Sequence, residues 1–239
     1  MGRFRAAVLS ALLALAALVG STAPVSAALQ APAAVISSTA PASVVPGAPG
    51  DTVTTTVRRG IVALPIADED RTGYTRDKFR LWLDEDHDGC NTRHEVLIAE
   101  AVIAPQIGPR CKLTGGSWYS WYDGETWTDP NDLDIDHVVP LAEAWDSGAS
   151  AWTSAERNAY ANDLGDERSL TAVTDNVNQA KGDKDPAEWV PALNRCDYLV
   201  DWVVVKSRWR EKADAAEVAA LNRIADGCPD TEITFVLAR

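Results

Sequence analysis

Residues 133–141 have the sequence LDIDHVVPL, in which apolar and polar residues alternate up to His137 before an apolar run begins. Such alternation is typical of a β-strand with one buried face. Pro140 cannot donate a backbone hydrogen bond, so it breaks the predicted strand. Because adjacent side chains on a regular strand face opposite sides, Asp136 and His137 can share one site only where the strand ends.

A second polar stretch, residues 169–184, has the sequence SLTAVTDNVNQAKGDK. Its first five residues predict another short strand, and a helix is expected to start near Thr174 or Asp175. The expected helix and its end carry Asn176, Asn178, Lys181 and Lys184. We expect them to offer an amide oxygen and positive charge.

The residue types in these two stretches match the needs of phosphodiester hydrolysis. A histidine beside carboxylates can act as a general base, because its ordinary pKa is close to neutrality. Aspartate and asparagine oxygens can bind a divalent cation that stabilises charge on phosphorus, and lysines can hold the phosphate backbone. Magnesium suits this task because it needs only one or two protein oxygens.

The two stretches resemble the two halves of the HNH (His-Me finger) nuclease motif. The nearest likeness is to small secreted HNH-type proteins of actinobacteria, which are related to the C-terminal nuclease domain of GmrSD-type modification-dependent restriction enzymes. The motif covers roughly residues 133–191, and the wider likeness runs from about 76 to 228. The resemblance implies an α+β fold, a mainly helical, disulfide-stapled domain around a small ββα-metal core.

The resemblance also implies a role for each matching residue. His137 is then the general base, and Asp136 and Asn178 bind Mg²⁺ or Mn²⁺. The remaining expected roles are catalysis for Lys181, orientation of neighbouring groups for Asp134, Ser169 and Asn176, and substrate phosphate binding for Lys184. The family usually has an asparagine that orients the histidine. This chain has Ser169 at that place, and its nearest upstream asparagine is Asn162.

An acidic loop at residues 84–95 matches the pattern D-x-D-x-D-G-x₅-E. In this pattern three short carboxylates, a turn-forming glycine and a final glutamate surround Ca²⁺ with oxygen atoms. The expected calcium ligands are Asp84, Asp86, Asp88 and Glu95. A helix over about Arg76 to Leu83 would supply the entry to the loop. The alternative is an acidic surface turn, since position 8 of the loop is Asn91 rather than an apolar residue.

The N-terminal region predicts export. Residues 1–27 contain two arginines, an apolar run and a Val-Ser-Ala end, as a signal peptide does. Residues 28–50 lack charge and are rich in Ala, Pro and Ser, as in a linker. Residues 51–239 are then a single nuclease-like domain, secreted to the extracellular space and not bound to a membrane after signal cleavage.

The four cysteines lie in the exported part of the chain. An even number in an oxidising compartment implies two disulfides, with three possible pairings. We favour Cys90–Cys111 and Cys196–Cys228, each local in sequence. Zinc binding has little support because no two cysteines have ligand spacing. Helices are expected around Tyr198 to Trp209, and over Ala213 to Ala225.

The charge of the chain limits what it binds. Removal of the signal, which holds two basic residues and no acidic one, changes the net charge from −13 to −15. This charge opposes binding of nucleic acid through the overall field, whereas a bound metal and a few lysines can reverse the potential at a local site.

Three functions are consistent with these features. The first is a secreted endonuclease acting as a monomer on nucleic acid, DNA before RNA. The second is a calcium-stabilised extracellular binding module with a non-cutting HNH-like fold. The third is a hydrolase of another phosphoester. Motifs of P-loop proteins, serine hydrolases and zincins are absent from the sequence.

Overall fold

A computed structural model describes residues 47–239 of the chain, and the expected signal peptide and most of the expected linker lie outside this range. The helices are α1 (Val57–Ala63), α2 (Thr92–Ala99), α3 (Leu141–Asp146), α4 (Ser154–Ala161), α5 (Asp175–Lys181), α6 (Arg195–Trp209) and α7 (Ala215–Asp226). The strands are β1 (Thr52–Thr56), β2 (Gln106–Ile107), β3 (Leu113–Thr114), β4 (Trp118–Tyr119), β5 (Thr126–Trp127), β6 (Leu133–His137), β7 (Leu170–Thr174) and β8 (Glu232–Val236). Within the described range no helix is long and apolar enough to cross a membrane.

Strands β6 and β7 form an antiparallel pair in which Asp136 lies opposite Thr171 and His137 opposite Leu170. Helix α5 begins directly after β7, so its residues lie beside the pair. Strand β6 ends at His137, three residues before Pro140. The two strands and the helix therefore occupy the stretches where the sequence predicts them.

The two ends of the described chain lie side by side in one sheet. Strand β1 pairs with β8 in an antiparallel sheet that runs from Thr52–Val236 to Thr56–Glu232. Helix α1 packs on α6 and α7, and α6 also contacts β8. These elements bury Trp202, Val203, Leu221 and Phe235 in the larger apolar core.

The pair β6–β7 lies between two apolar cores. Val138, Val139 and Val173 belong to the larger core. Leu133 and Ile135 belong to a second, smaller core, which also contains residues of α2. Packing on both sides holds the strand end rigidly, which is what a site built on adjacent side chains requires.

Both disulfides pair the cysteines that the sequence analysis favours. Cys90–Cys111 lies in the smaller core. Cys196–Cys228 joins the first turn of α6 to the residues that follow α7. Such links restrict the unfolded chain and stabilise a small secreted domain.

The expected helix over about Arg76 to Leu83 does not form as such, because only Arg76–Lys78 makes one 3₁₀ turn. The N–H groups of Arg80 and Leu83 donate instead to the side chains of Asn158 and Asn162. Trp82 adopts a left-handed φ of 56°, which a helix does not allow. These side-chain partners replace the helical hydrogen bonds and hold the segment against α4.

Candidate active site

Asp136 and His137 both line one cleft at the end of β6, with a volume of about 170 Å³. Arg76, Asn178 and Asp183 line the same cleft. The two adjacent side chains still leave the strand in different directions and have separate sets of partners. Because β6 ends at His137, the side chains of Asp136 and His137 can both line the cleft, which the middle of a regular strand would not allow.

The ring of His137 is held in a defined orientation. Its Nε2 lies 3.0 Å from the carbonyl oxygen of Ala161, and the ring stacks between Trp82 and Tyr160. A carbonyl oxygen only accepts hydrogen bonds, so Nε2 carries the proton and Nδ1 keeps its lone pair. The arrangement leaves Nδ1 as the basic nitrogen of the ring.

The surroundings of His137 keep it neutral. Burial lowers the pKa of the ring to about 4, and the hydrogen bond to Ala161 opposes this shift only in part. The positive charges of Arg76 and Lys181 lower the pKa further. At neutral pH the imidazole is therefore able to accept a proton.

Asp136 is buried and held by two donors. The hydroxyl of Tyr122 donates to Oδ2 at 2.7 Å, and the ammonium of Lys181 donates to Oδ1 at 2.8 Å. Burial raises the pKa of the carboxyl group, whereas Lys181 and Tyr122 act in the opposite direction. The two hydrogen bonds fix the carboxylate at the wall of the cleft.

Lys181 differs from the expectation that it acts in catalysis, because its side chain is fully buried. Its ammonium also donates to the carbonyl oxygen of His137 at 2.9 Å. Burial lowers the pKa of the ammonium, and the charge of Asp136 opposes that change. Since it is enclosed by protein, Lys181 positions Asp136 and the end of β6 and does not face the cleft.

Asn178, on α5, lines the cleft. Its amide nitrogen donates to Oδ2 of Asp134 at 3.2 Å. This contact leaves the amide oxygen for another ligand. Asp134 therefore orients Asn178, while Asn176 on the same helix is exposed.

The hydroxyl of Ser169 makes no hydrogen bond to His137. Its hydroxyl donates to Asp163 at 2.9 Å, and Asp163 also accepts hydrogen bonds from Arg208 and Trp209. The backbone carbonyl of Ala161 takes the place where an orienting side chain was expected. A backbone acceptor has no signature in the sequence.

Asn162 holds that carbonyl in place. Its side chain donates to the carbonyl oxygens of Arg80 and Asn158 and accepts from the N–H of Leu83 and the hydroxyl of Thr92. All four contacts lie within 2.9 Å. The asparagine thus fixes the end of α4, one residue after Ala161.

One cation lines the cleft, and a second lies three residues after the end of α5. Arg76 lines the cleft, although the sequence offered no reason to select this arginine among others. Lys184 is exposed, and its ammonium donates to the carbonyl oxygen of Ala180 at the end of α5. Either side chain can swing toward an anion in solvent.

The acidic loop lies apart from this cleft. Carboxylate oxygens of Asp84, Asp86 and Asp88 come within 4.8 Å of one another. Oδ1 of Asp84 is buried and has no hydrogen-bond partner within residues 47–239. Burial raises the pKa of Glu95, and the charges of these aspartates raise it further. Glu95 does not belong to the close triad.

The donor set of the cleft fits a hard divalent cation. Each carboxylate oxygen of Asp136 accepts one hydrogen bond and keeps a second lone pair, and Asn178 adds an amide oxygen. One carboxylate and one amide oxygen are the few protein ligands that Mg²⁺ accepts while it keeps its waters. The side-chain oxygens of Asp136 and Asn178 therefore fit as protein ligands of such an ion.

Comparison with known proteins adds a family to this geometry. Residues 110–224 match the C-terminal domain of GmrSD restriction endonucleases. An uncharacterized secreted protein of Arthroderma benhamiae is 46% identical over 171 residues, which cover 71% of this chain and 81% of the fungal protein. No solved structure matches the chain significantly.

Proposed function

Since the chain belongs to a family of secreted proteins that carry the nuclease-type C-terminal domain of GmrSD restriction endonucleases, we propose that it is a secreted, metal-dependent endonuclease. The proposed reaction is hydrolysis of phosphodiester bonds in nucleic acid, with DNA as the first substrate to test. His137 is the general base, and Asp136 and Asn178 hold one Mg²⁺ or Mn²⁺.

One observation carries this proposal. A neutral imidazole with a free Nδ1 and a fixed carboxylate line the same cleft, on adjacent residues at a strand end. Proton abstraction and cation binding are the two tasks that phosphodiester hydrolysis requires of a protein. In the cleft the groups for these two tasks lie on adjacent residues at the end of β6.

His137 acts as the base by removing a proton from the attacking water. Nδ1 of His137 takes a proton from a water molecule as the water oxygen bonds to phosphorus. The ester bond to the leaving oxygen breaks, and that oxygen keeps the electron pair and later gains a proton. The carbonyl oxygen of Ala161 accepts a hydrogen bond from Nε2–H throughout, so it stabilises the positive ring that forms.

Asp136 and Asn178 place the ion, which would supply positive charge to the phosphoryl and leaving oxygens. Tyr122 and Lys181 keep the carboxylate of Asp136 from rotating away from the cleft. The exactness of the carboxylate position matters because a site loses activity when its ligands move by about 1 Å.

Substrate binding depends on local charge, since the chain as a whole is acidic, with net charge −13. Arg76 lines the cleft and Lys184 follows α5, and we propose that both contact phosphates of the substrate backbone. Because these cations are few, the salt dependence of binding should be shallow, with about one unit of slope for each phosphate contact.

One observation favours the second candidate, a binding module with a fold of this type that does not cut. Both oxygens of Asp136 already have protein donors, and Lys181 offsets the charge that would attract a metal ion. In that case nucleic acid or another phosphate ligand would bind to the cleft without being cleaved.

The test incubates the purified mature protein with supercoiled plasmid and with RNA, in Mg²⁺, in Mn²⁺ and in EDTA. We expect plasmid nicking that needs the metal. Cleavage that persists in EDTA would contradict the proposed mechanism. Retention of DNA in a gel-shift experiment without cleavage in any metal would support the binding module instead.

A further inference from the structure

A group of five carboxylates lies outside the cleft and plays no part in the proposed reaction. Oxygen atoms of Glu69, Glu143 and Asp146 come within 4.8 Å of one another. Oxygen atoms of Glu69, Asp185 and Asp214 form a second such triad, which shares Glu69. We call these five residues the Glu69 cluster.

Local structure brings the two central members together. Glu143 and Asp146 lie three positions apart on α3, so their side chains share one face of the helix. Both are buried, with 1% and 6% of their surfaces exposed. The helix and the surrounding core packing therefore fix the positions of these two carboxylates.

The segment that carries Glu69 is fixed at both ends. The N–H of Ala67 donates to the carbonyl of Ala213 at 3.1 Å, one residue before Asp214. The indole of Trp145 donates to the carbonyl of Thr72 at 3.2 Å. The exposed carboxylate of Glu69 is therefore held over the buried pair.

The two buried carboxylates differ in how their oxygens are satisfied. Oε1 of Glu143 accepts from Lys206 and from Ser147, at 2.6 and 2.7 Å. Oδ2 of Asp146 accepts from Arg71 at 2.6 Å. Oδ1 of Asp146 is buried and, within residues 47–239, has no hydrogen-bond partner, although its side chain is only 1% exposed. A buried anionic oxygen without a partner is costly and indicates a missing ligand.

The cations nearby do not balance the cluster. Lys206 is shared between Glu143 and Glu217, and Arg71 is shared between Asp146 and Asp183. None of the ion pairs within residues 47–239 includes Glu69, Asp185 or Asp214.

We propose that the Glu69 cluster binds a divalent cation, with Glu69, Glu143 and Asp146 as its first protein ligands and Ca²⁺ as the ion. All five groups are carboxylates, without imidazole or thiolate, which selects a hard cation. Ca²⁺ takes six to eight oxygens in a flexible geometry and accepts several carboxylates, whereas Mg²⁺ needs a near-ideal octahedral shell and keeps most of its waters. Secretion exposes the chain to extracellular calcium.

The bound ion would connect the segment of Glu69 to α3 and, through Asp214, to the start of α7. Its effect is stability, and it is independent of whether the cleft cuts nucleic acid.

The test measures Ca²⁺ binding by isothermal titration calorimetry in the full mature chain with Asp84→Asn and Asp86→Asn, which disable the acidic loop. Into this background we introduce Glu69→Gln or Asp146→Asn. The matched control is Asp68→Asn, because Asp68 is an exposed neighbour of Glu69 outside the cluster.

We expect the background and Asp68→Asn to bind one Ca²⁺ with a dissociation constant on the order of 10⁻⁴ M or below, and both cluster variants to bind it at least about tenfold more weakly. Calcium should also raise the melting temperature of the control but not of the cluster variants. Equal calcium titrations in all four proteins would overturn the site. Tighter binding of Mg²⁺ than of Ca²⁺ at this cluster would overturn the choice of ion.

Discussion

Nε2 of His137 lies 3.0 Å from the carbonyl oxygen of Ala161, 24 residues further along the chain at the end of α4. This contact decides which ring nitrogen is basic, and it does so with a backbone atom. The geometry of the proposed base therefore depends on what holds residue 161 in place.

The side chain of Asn162 holds residue 161 in place. Replacing Asn162 tests whether the position of His137 depends on it. Asn162→Ala should reduce the free energy of unfolding by about 2–3 kcal/mol, since it leaves several buried partners unsatisfied. It should also lower the rate of cleavage at temperatures where the variant remains folded. Urea unfolding and plasmid nicking measure the two effects. Full activity in a destabilised Asn162→Ala protein would show that the Ala161 contact does not position the base.

The pH dependence of stability tests the buried, neutral state of His137. The folded pKa of about 4 lies below the unfolded value of 6.5, so the unfolded chain binds more protons between these values. The stability that this residue contributes is fully present above pH 6.5 and decreases as the pH falls toward 4. From pH 7 to pH 5 we expect a loss of about 2 kcal/mol from this residue alone.

Comparison of wild type with His137→Gln isolates that contribution, because the carboxylates titrate in both proteins. Urea unfolding at pH 7 and at pH 5 should show the larger loss in wild type. A similar loss in both proteins would indicate that the ring titrates normally when folded. The acid limb of the cleavage rate should likewise lie well below pH 6.5.

Tyr122 and Tyr198 form a matched pair of buried tyrosines, with ring centroids 5.7 Å apart. The hydroxyl of Tyr122 donates to Asp136, whereas that of Tyr198 has no partner within residues 47–239. Tyr122→Phe should cost about 1.5–3 kcal/mol and weaken Mg²⁺ binding, since a hydrogen bond to a carboxylate is lost. Tyr198→Phe should leave stability unchanged or raise it.

Thermal unfolding and Mg²⁺ titration of the cleavage rate measure both tyrosine variants. Equal effects of the two substitutions would mean that the contact between Tyr122 and Asp136 has no particular role.

Lys181 and Lys184 should separate a positioning role from a binding role. Lys181→Met leaves Asp136 without its ion-pair partner and should reduce stability by about 3–5 kcal/mol. Lys184→Met should leave stability unchanged, raise KM with kcat retained, and reduce the salt dependence of DNA binding by about one unit of slope. Loss of kcat in a stable Lys181→Met protein with Mg²⁺ affinity retained would return Lys181 to the catalytic group.

The sequence predicted the local elements of the site well. The alternating pattern at 133–137, the strand before Thr174 and the helix after it are all present, because each depends on short-range periodicity. The disulfide pairs agree with the preferred pairing for a similar reason, since each joins residues that are close in the chain.

Long-range pairing and burial were beyond that kind of reasoning. Strands β1 and β8, with residues 54 and 234 opposite each other, were not predicted, because nothing in either segment indicates its distant partner. The buried state of Lys181 depends on how α5 packs against β6. The 3₁₀ turn at Arg76–Lys78 replaces a helix because asparagine side chains from α4 compete for the backbone.

The single-turnover rate of plasmid cleavage at fixed Mg²⁺ tests whether His137 is the base of a metal-dependent nuclease. The variants are His137→Ala and, as a control, His87→Asn, because His87 is exposed and asparagine tolerates its left-handed φ of 63°. We expect His137→Ala to be folded and slower by about 10²–10⁴-fold, with the control at the wild-type rate. A wild-type rate of cleavage in folded His137→Ala would show that His137 is not the base.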